Sequence, residues 1–158
     1  MATITKVQSS SNQLGATPWG NLSALHYTLA TNSAGAALGG DILTPAIQGT
    51  KIRLGLLPAG FKLIDSLVVV AVGMTASVTA KIGFEYADGV DVPAVPQDDD
   101  YFGAAVNLAA TARLRNATAN PVITLPKDAY LILTVGGADN AKASALDVVV
   151  LGVPEGVA

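Results

Sequence analysis

Apolar and polar residues alternate over much of this chain with the two-residue period of a strand. Between residues 77 and 87, Val78, Ala80, Ile82, Phe84 and Tyr86 take one side, and Ser77, Thr79, Lys81, Gly83 and Glu85 take the other. Successive side chains of a strand point to opposite faces, so this spacing predicts a half-buried strand. Residues 50–56 repeat the pattern, with Ile52, Leu54 and Leu56 on one face and Lys51 and Arg53 on the other. A shorter strand alternates Leu25, Tyr27 and Leu29 with His26 and Thr28. Residues 63–72 are apolar on both faces, which predicts a central strand. Residues 121–125, 129–135 and 146–153 add three more. Between them stand turn signals: Pro58-Ala59-Gly60, Asp88-Gly89, Pro126-Lys127-Asp128 and Gly136-Gly137. About eight short strands with no sustained helical period predict an all-β, single-domain β-sandwich of jelly-roll type. Only residues 104–115, rich in Ala, Leu and Arg, suggest a helical turn or two.

The first forty residues differ in kind. Lys6 is their only Lys, Arg, Asp or Glu, and Ser, Thr, Asn, Gly and Ala dominate. Residues 9–21 and 31–40 read as loop on either side of the short strand at 25–29. The composition predicts an extended N-terminal arm over 1–40 and a sandwich domain over 41–158. Such an arm is too polar for a core and too uncharged for an ordinary solvated tail, which suits a segment laid across another surface. A frayed terminus is the plainer reading. Pro18, Trp19 and Tyr27 are the candidate contact residues, because Trp and Tyr are favoured interface anchors. Trp19 equally fits a plug for the chain's own domain.

Composition narrows the function classes. A chain of 158 residues fits one domain with a sizeable core, and the absence of cysteine excludes a disulfide framework. Nine basic residues stand against twelve acidic ones, for a formal charge of −3. The basic residues are scattered, whereas phosphate binding wants a stripe or patch, so nucleic acid is not an expected partner. A hydrophobic fraction of 51% raises the question of a membrane. The longest apolar run, 67–75, is broken by Gly73 and falls short of the roughly 20 residues a spanning helix needs. The first residues lack the basic start and apolar run of a secretory signal. No membrane association is expected, and the sequons at Asn21 and Asn116 are read as chance matches.

Candidate chemistry is sparse. His26 is the only histidine and has no metal-ligand spacing around it. Asp98-Asp99-Asp100 offers hard oxygen ligands without the spacing of a calcium loop, and adjacent side chains on an extended strand point to alternate faces. Glu85 and Glu155 lack the aromatic platform of a glycosidase site, and neither a nucleophile elbow nor a phosphate loop is present. The expectation is a protein without catalytic residues, metal or cofactor.

The series Gly49-Thr-Lys-Ile-Arg-Leu-Gly-Leu-Leu-Pro-Ala-Gly-Phe-Lys-Leu-Ile-Asp-Ser-Leu, followed by Thr79-Ala-Lys-Ile-Gly-Phe-Glu-Tyr-Ala-Asp-Gly, resembles small structural proteins of tailed-bacteriophage heads. The acidic Asp98-Asp-Asp-Tyr-Phe and the late strands at 130–137 and 147–153 continue the likeness, which covers about residues 41–153. The resemblance is to the capsid decoration, or cement, protein family. It implies a virion protein made in the host cytoplasm that binds the capsid exterior and bridges subunits of the major capsid protein. It further implies a homo-oligomer, with a trimer favoured over a dimer. A carbohydrate- or receptor-binding module of a phage tail or cell surface is the alternative. Sugar sites need aromatic faces, and this chain has eight aromatic residues, two of which, Phe84 and Tyr86, share an apolar strand face.

Overall fold

The computed structural model describes residues 2–6, 22–115 and 118–155. Among them the chain forms ten strands: β1 (Thr3–Thr5), β2 (Ser23–Thr31), β3 (Lys51–Leu57), β4 (Phe61–Val72), β5 (Thr79–Tyr86), β6 (Asp98–Asn107), β7 (Ala112–Arg115), β8 (Ile123–Thr124), β9 (Ala129–Gly136) and β10 (Ser144–Pro154). They build two sheets. The first runs in the order β1-β3-β9-β5-β6, the second in the order β2-β10-β4-β7, with β8 also pairing β4. All pairings are antiparallel except β1 with β3. No helix among the described residues is long and apolar enough to cross a membrane.

Alternation drives the layering. Val78, Ala80, Ile82, Phe84 and Tyr86 are all buried, as the period-two pattern predicts. They face Leu25, Tyr27 and Leu29 of β2, Val68 and Val70 of β4, and Leu146, Val148 and Val150 of β10 in one continuous core. Phe84 packs edge-on against Tyr86 and Tyr101, with ring centroids 5.8 and 5.6 Å apart. Such pairs add about 0.5–1.5 kcal/mol each beyond simple burial. The 63–72 run lies in β4, central as expected, between β10 and β7.

Two local expectations are corrected. Residues 112–115 form a strand rather than a helical turn, because pairing with Leu67–Val70 of β4 outweighs the weak helix propensity of Ala, Leu and Arg. Leu56 does not share the buried face of Ile52 and Leu54. A bulge between Arg53 and Gly55 shifts the register by one residue, so Leu56 is exposed and Leu57 is buried. The described parts of residues 1–40 are built into the sandwich. The strand seen at 25–29 extends over nine residues as an edge of the second sheet, and Thr3–Thr5 is an edge of the first.

These two edges are tied together. Lys6 donates its backbone N–H to Arg53 of β3 (3.1 Å) and its Nζ to the Thr28 carbonyl of β2 (2.6 Å), and burial lowers its pKa. The loop after β2 continues the closure. Leu38 donates to the Ala30 carbonyl, Asp41 donates to the Thr5 carbonyl, and the Asp41 carboxylate accepts from Thr5 N–H. Deeper in, Asn140 is 1% exposed and holds three segments at once. Its Nδ2 donates to Thr31 Oγ1 and the Lys142 carbonyl, its Oδ1 accepts from Thr75, and its N–H donates to Ala46. Truncating the side chain strands several buried polar groups. Asn140→Ala is therefore expected to lower unfolding free energy by about 2–3 kcal/mol, read from urea denaturation.

Candidate functional site

The outer face of the first sheet carries a charge network. Glu85 accepts from Lys51 Nζ at 2.5 Å and from Arg53 Nε at 2.6 Å, and the Arg53 guanidinium lies 4.9 Å from the Tyr130 ring centroid. Cross-strand register explains the meeting: Arg53 pairs with Ile132 of β9 and Glu85 pairs with Tyr130, so all lie on one face. Ile132 sits among them and is almost fully buried although it faces away from the core. Burial alone would raise the Glu85 carboxyl, but the bonds from Lys51 and Arg53 more than offset it and hold its pKa below the ordinary value.

The acidic triplet converges. Carboxylate oxygens of Asp98, Asp99 and Asp100 come within 4.8 Å of one another, contrary to the alternation expected of an extended strand. The reason is a pronounced bulge: Ile82 and Phe84, two residues apart on β5, pair with Gly103 and Asp98, five apart on β6. Gly83 permits it, since a Cβ there would fall 2.0 Å from the Asp98 carbonyl oxygen. The triplet already holds a cation of its own. Lys81 Nζ lies 3.1 Å from Asp99 and 3.6 Å from Asp100. Burial raises the Asp98 pKa, and its Oδ1 accepts from the Asp100 N–H.

Of the candidate contact residues, Pro18 and Trp19 lie outside the described residues. Tyr27 lies in the core of the single chain. It is 0% exposed, and its hydroxyl donates to the Leu56 carbonyl at 2.7 Å, which ties the second sheet to the first. An aromatic on the inward face of an edge strand was legible from its alternation with His26 and Thr28. His26 is on the outward face, its Nε2 3.0 Å from Asp147 Oδ1 across β2 and β10. Six of the seven aromatic rings among the described residues are buried; the seventh, Tyr130, lies beneath Arg53.

Sequence reasoning missed two surface features. One is the β2–β3 loop, where Leu38, Ile42, Leu43 and Ile47 are 46%, 40%, 72% and 49% exposed. The cue was present, since these aliphatics follow no strand period. The other is an open cavity of about 490 Å³ between the edge strands β6 and β7, lined by Phe102, Gly103, Ala104, Ala105, Val106, Asn107, Leu114, Arg115 and Thr118. No local pattern announces it, because its walls come from different sheets.

No protein-family model matches this sequence, and no curated protein does. Structure comparison succeeds where sequence comparison fails. The fold is shared with chains from phage capsids. A chain from the capsid of Ralstonia phage GP4 superposes with a TM-score of 0.65 over 99% of both chains at 15% identity. A chain from the cyanophage Pam1 capsid asymmetric unit superposes with a TM-score of 0.54, over 94% of this chain and 98% of that one, at 13% identity. The all-β, two-sheet expectation therefore holds.

The Glu85 network yields a pH prediction. A carboxylate whose folded pKa is depressed contributes stability above its unfolded pKa and loses it as pH falls through the folded value. Glu85→Gln is expected to cost about 1–2 kcal/mol near neutral pH, discounted for the one-third exposure of its partners. Denaturation of both proteins should show the difference shrinking below the ordinary carboxyl value of 4.5.

Proposed function

We propose that this chain is a structural protein of a phage virion. It binds the capsid exterior as a homo-oligomer and bridges subunits of the major capsid protein, without catalysis. The observation that carries the reading is the end-to-end superposition on a chain from the Ralstonia phage GP4 capsid, which covers 99% of each chain. Coverage of that kind makes the whole domain, rather than a shared motif, the unit of likeness. The chemistry of the surface supports the same reading. Glu85, Asp99, Asp88 and Glu155 are all engaged by lysine or arginine within the chain, so these charges brace the sandwich. The buried aromatic rings leave few faces for sugar stacking, which disfavours a carbohydrate-binding module.

Residues 7–21, uncharged and carrying Pro18 and Trp19, supply part of the capsid contact in this reading. Extended chain adds main-chain and pocket contacts to a neighbour at the cost of ordering entropy, and several such contacts per oligomer combine through avidity. Tyr27 supports the arm indirectly, by fixing β2 to the core.

Quantitative mass spectrometry of purified virions tests the proposal. Copy number comparable to that of the major capsid protein is expected. A handful of copies would point to the tail, and absence from the particle would overturn the reading. Replacing residues 7–21 with a short Gly/Ser linker should lower capsid occupancy at least tenfold while thermal unfolding stays cooperative. Unchanged occupancy would remove the arm from the interface.

A further inference from the structure

Residues 87–100, which lead from the end of β5 into the start of β6, hold five aspartates and no lysine or arginine. Two lysines reach them from other strands or turns. Lys127 pairs with Asp88, and Lys81 pairs with Asp99 and Asp100. Five aspartates against two lysines leave three negative charges uncompensated in this corner. Asp98 is the one at the strand bulge that Lys81 does not engage, and it forms no ion pair among the described residues. Burial, and then the neighbouring Asp100 and Asp99 carboxylates, raise its pKa, as expected of an anion short of a cation.

Asp98 lines an open cleft of about 290 Å³. Val95 and Pro96 line it from the β5–β6 loop, Asn120 and Pro121 from the segment before β8, and Asp98 and Tyr101 from β6. Hydrogen bonds hold all three in place. The Tyr86 hydroxyl donates to the Val95 carbonyl, and the Gln97 N–H donates to Asp91 at 2.8 Å. The Tyr101 hydroxyl donates to the Pro121 carbonyl at 2.7 Å. Asn120 donates Nδ2 to the Tyr101 carbonyl at 3.0 Å, while its contact with Asp98 Oδ2 is long, at 3.4 Å. The Asn120 Oδ1 accepts from no donor among the described residues. A carboxylate oxygen and an amide oxygen thus border a mostly apolar cleft with acceptor capacity to spare.

We propose that this cleft takes an arginine side chain presented by a partner protein. Charge selects the partner, because the uncompensated aspartates attract a basic surface and repel an acidic one. Chemistry selects arginine. Its planar guanidinium offers several donors in a fork that suits a carboxylate, and it is more weakly hydrated than an ammonium. Entry between Val95, Pro96, Tyr101 and Pro121 therefore opposes it less than it opposes lysine. A calcium ion would want about six to eight oxygen ligands, which walls of valine, proline and tyrosine do not supply. The cleft is small and open, so one side chain fits while the partner's backbone stays outside. Its walls are already fixed by their own hydrogen bonds, and little ordering opposes binding. This inference goes beyond the virion reading and is tested without virions, so its failure leaves that reading intact.

The test is a nitrogen-15 NMR titration of the full chain at low salt with the peptide acetyl-Gly-Arg-Gly-amide. Saturable shifts are expected at millimolar peptide, confined to the amides of Val95, Gln97, Asp98 and Ile123 and the side-chain amide of Asn120. The same peptide with citrulline, a neutral isostere, should leave these signals in place, and the lysine peptide should bind several-fold more weakly. Asp98→Asn keeps an oxygen for the Asp100 N–H and removes the charge, so it should weaken the arginine peptide at least about tenfold. Circular dichroism melts check that this variant stays folded, and the citrulline comparison stands without it. No saturable shift, equal binding of the citrulline or lysine peptide, or unchanged affinity in Asp98→Asn would each overturn the proposal. So would spermidine binding more tightly than the arginine peptide, which would assign the cleft to free polyamines. Calcium chloride displacing the peptide at lower concentration would assign it to a metal ion instead.

Discussion

A two-layer sandwich leaves strand edges whose outward N–H and C=O groups must find partners, and the handling of those edges shapes this molecule. Unsatisfied edges template pairing with other chains, so natural sheets cover, shorten or charge them. Here one side is closed by hydrogen bonds from the loop after β2. The chain leaves β2, lays Leu38 against Ala30, passes β1 at Asp41, and returns to the core at Ala46. Lys6 stitches the same side from below, its ammonium on the Thr28 carbonyl and its N–H on the Arg53 carbonyl. The other side is treated unevenly. The lower half of β6 is covered, since the Tyr101 carbonyl accepts from Thr118 and Asn120. Its upper half faces β7 across the open cavity.

Closure of the first side depends on a small polar core. Asn140, Thr31 and Ser144 form a buried hydrogen-bonded group at the sandwich end, where a purely apolar filling would leave loop backbone groups stranded. Gly35, at φ +82° and with a would-be Cβ 2.0 Å from the Asn140 carbonyl oxygen, lets the loop come close enough to bond. That polar group makes the exposed aliphatics of the loop a fixed shape rather than a mobile strand of chain.

Electrostatics follow the same economy of purpose. Glu85 joins Lys51 and Arg53 over Ile132, Lys81 offsets the acidic bulge, and Lys127 holds Asp88 beneath the β5 turn. Charges engaged inside the chain are poor instruments for steering a charged ligand. The fold that these pairs brace is one found in chains from phage capsids.

What the sequence determined by itself is whatever depends on period. The run Val78, Ala80, Ile82, Phe84, Tyr86 could bury only as a strand, and residues 63–72, apolar on both faces, could only be central. Asp88-Gly89 could only turn. These follow from backbone geometry and the exclusion of apolar groups from water, which act over a few residues. Tertiary structure decided the rest. Leu56 and Leu57 exchange faces because of one bulged residue opposite β9, and Asp98–Asp100 converge because β6 bulges against Gly83. Tyr27 becomes a tie between sheets only once β3 lies across from it. The 112–115 strand exists because β4 offers it an edge. The cavity between β6 and β7 exists because edge strands of different sheets come to lie side by side. Each of these depends on which distant strand becomes a neighbour, and that choice is made by the packing of the whole sandwich.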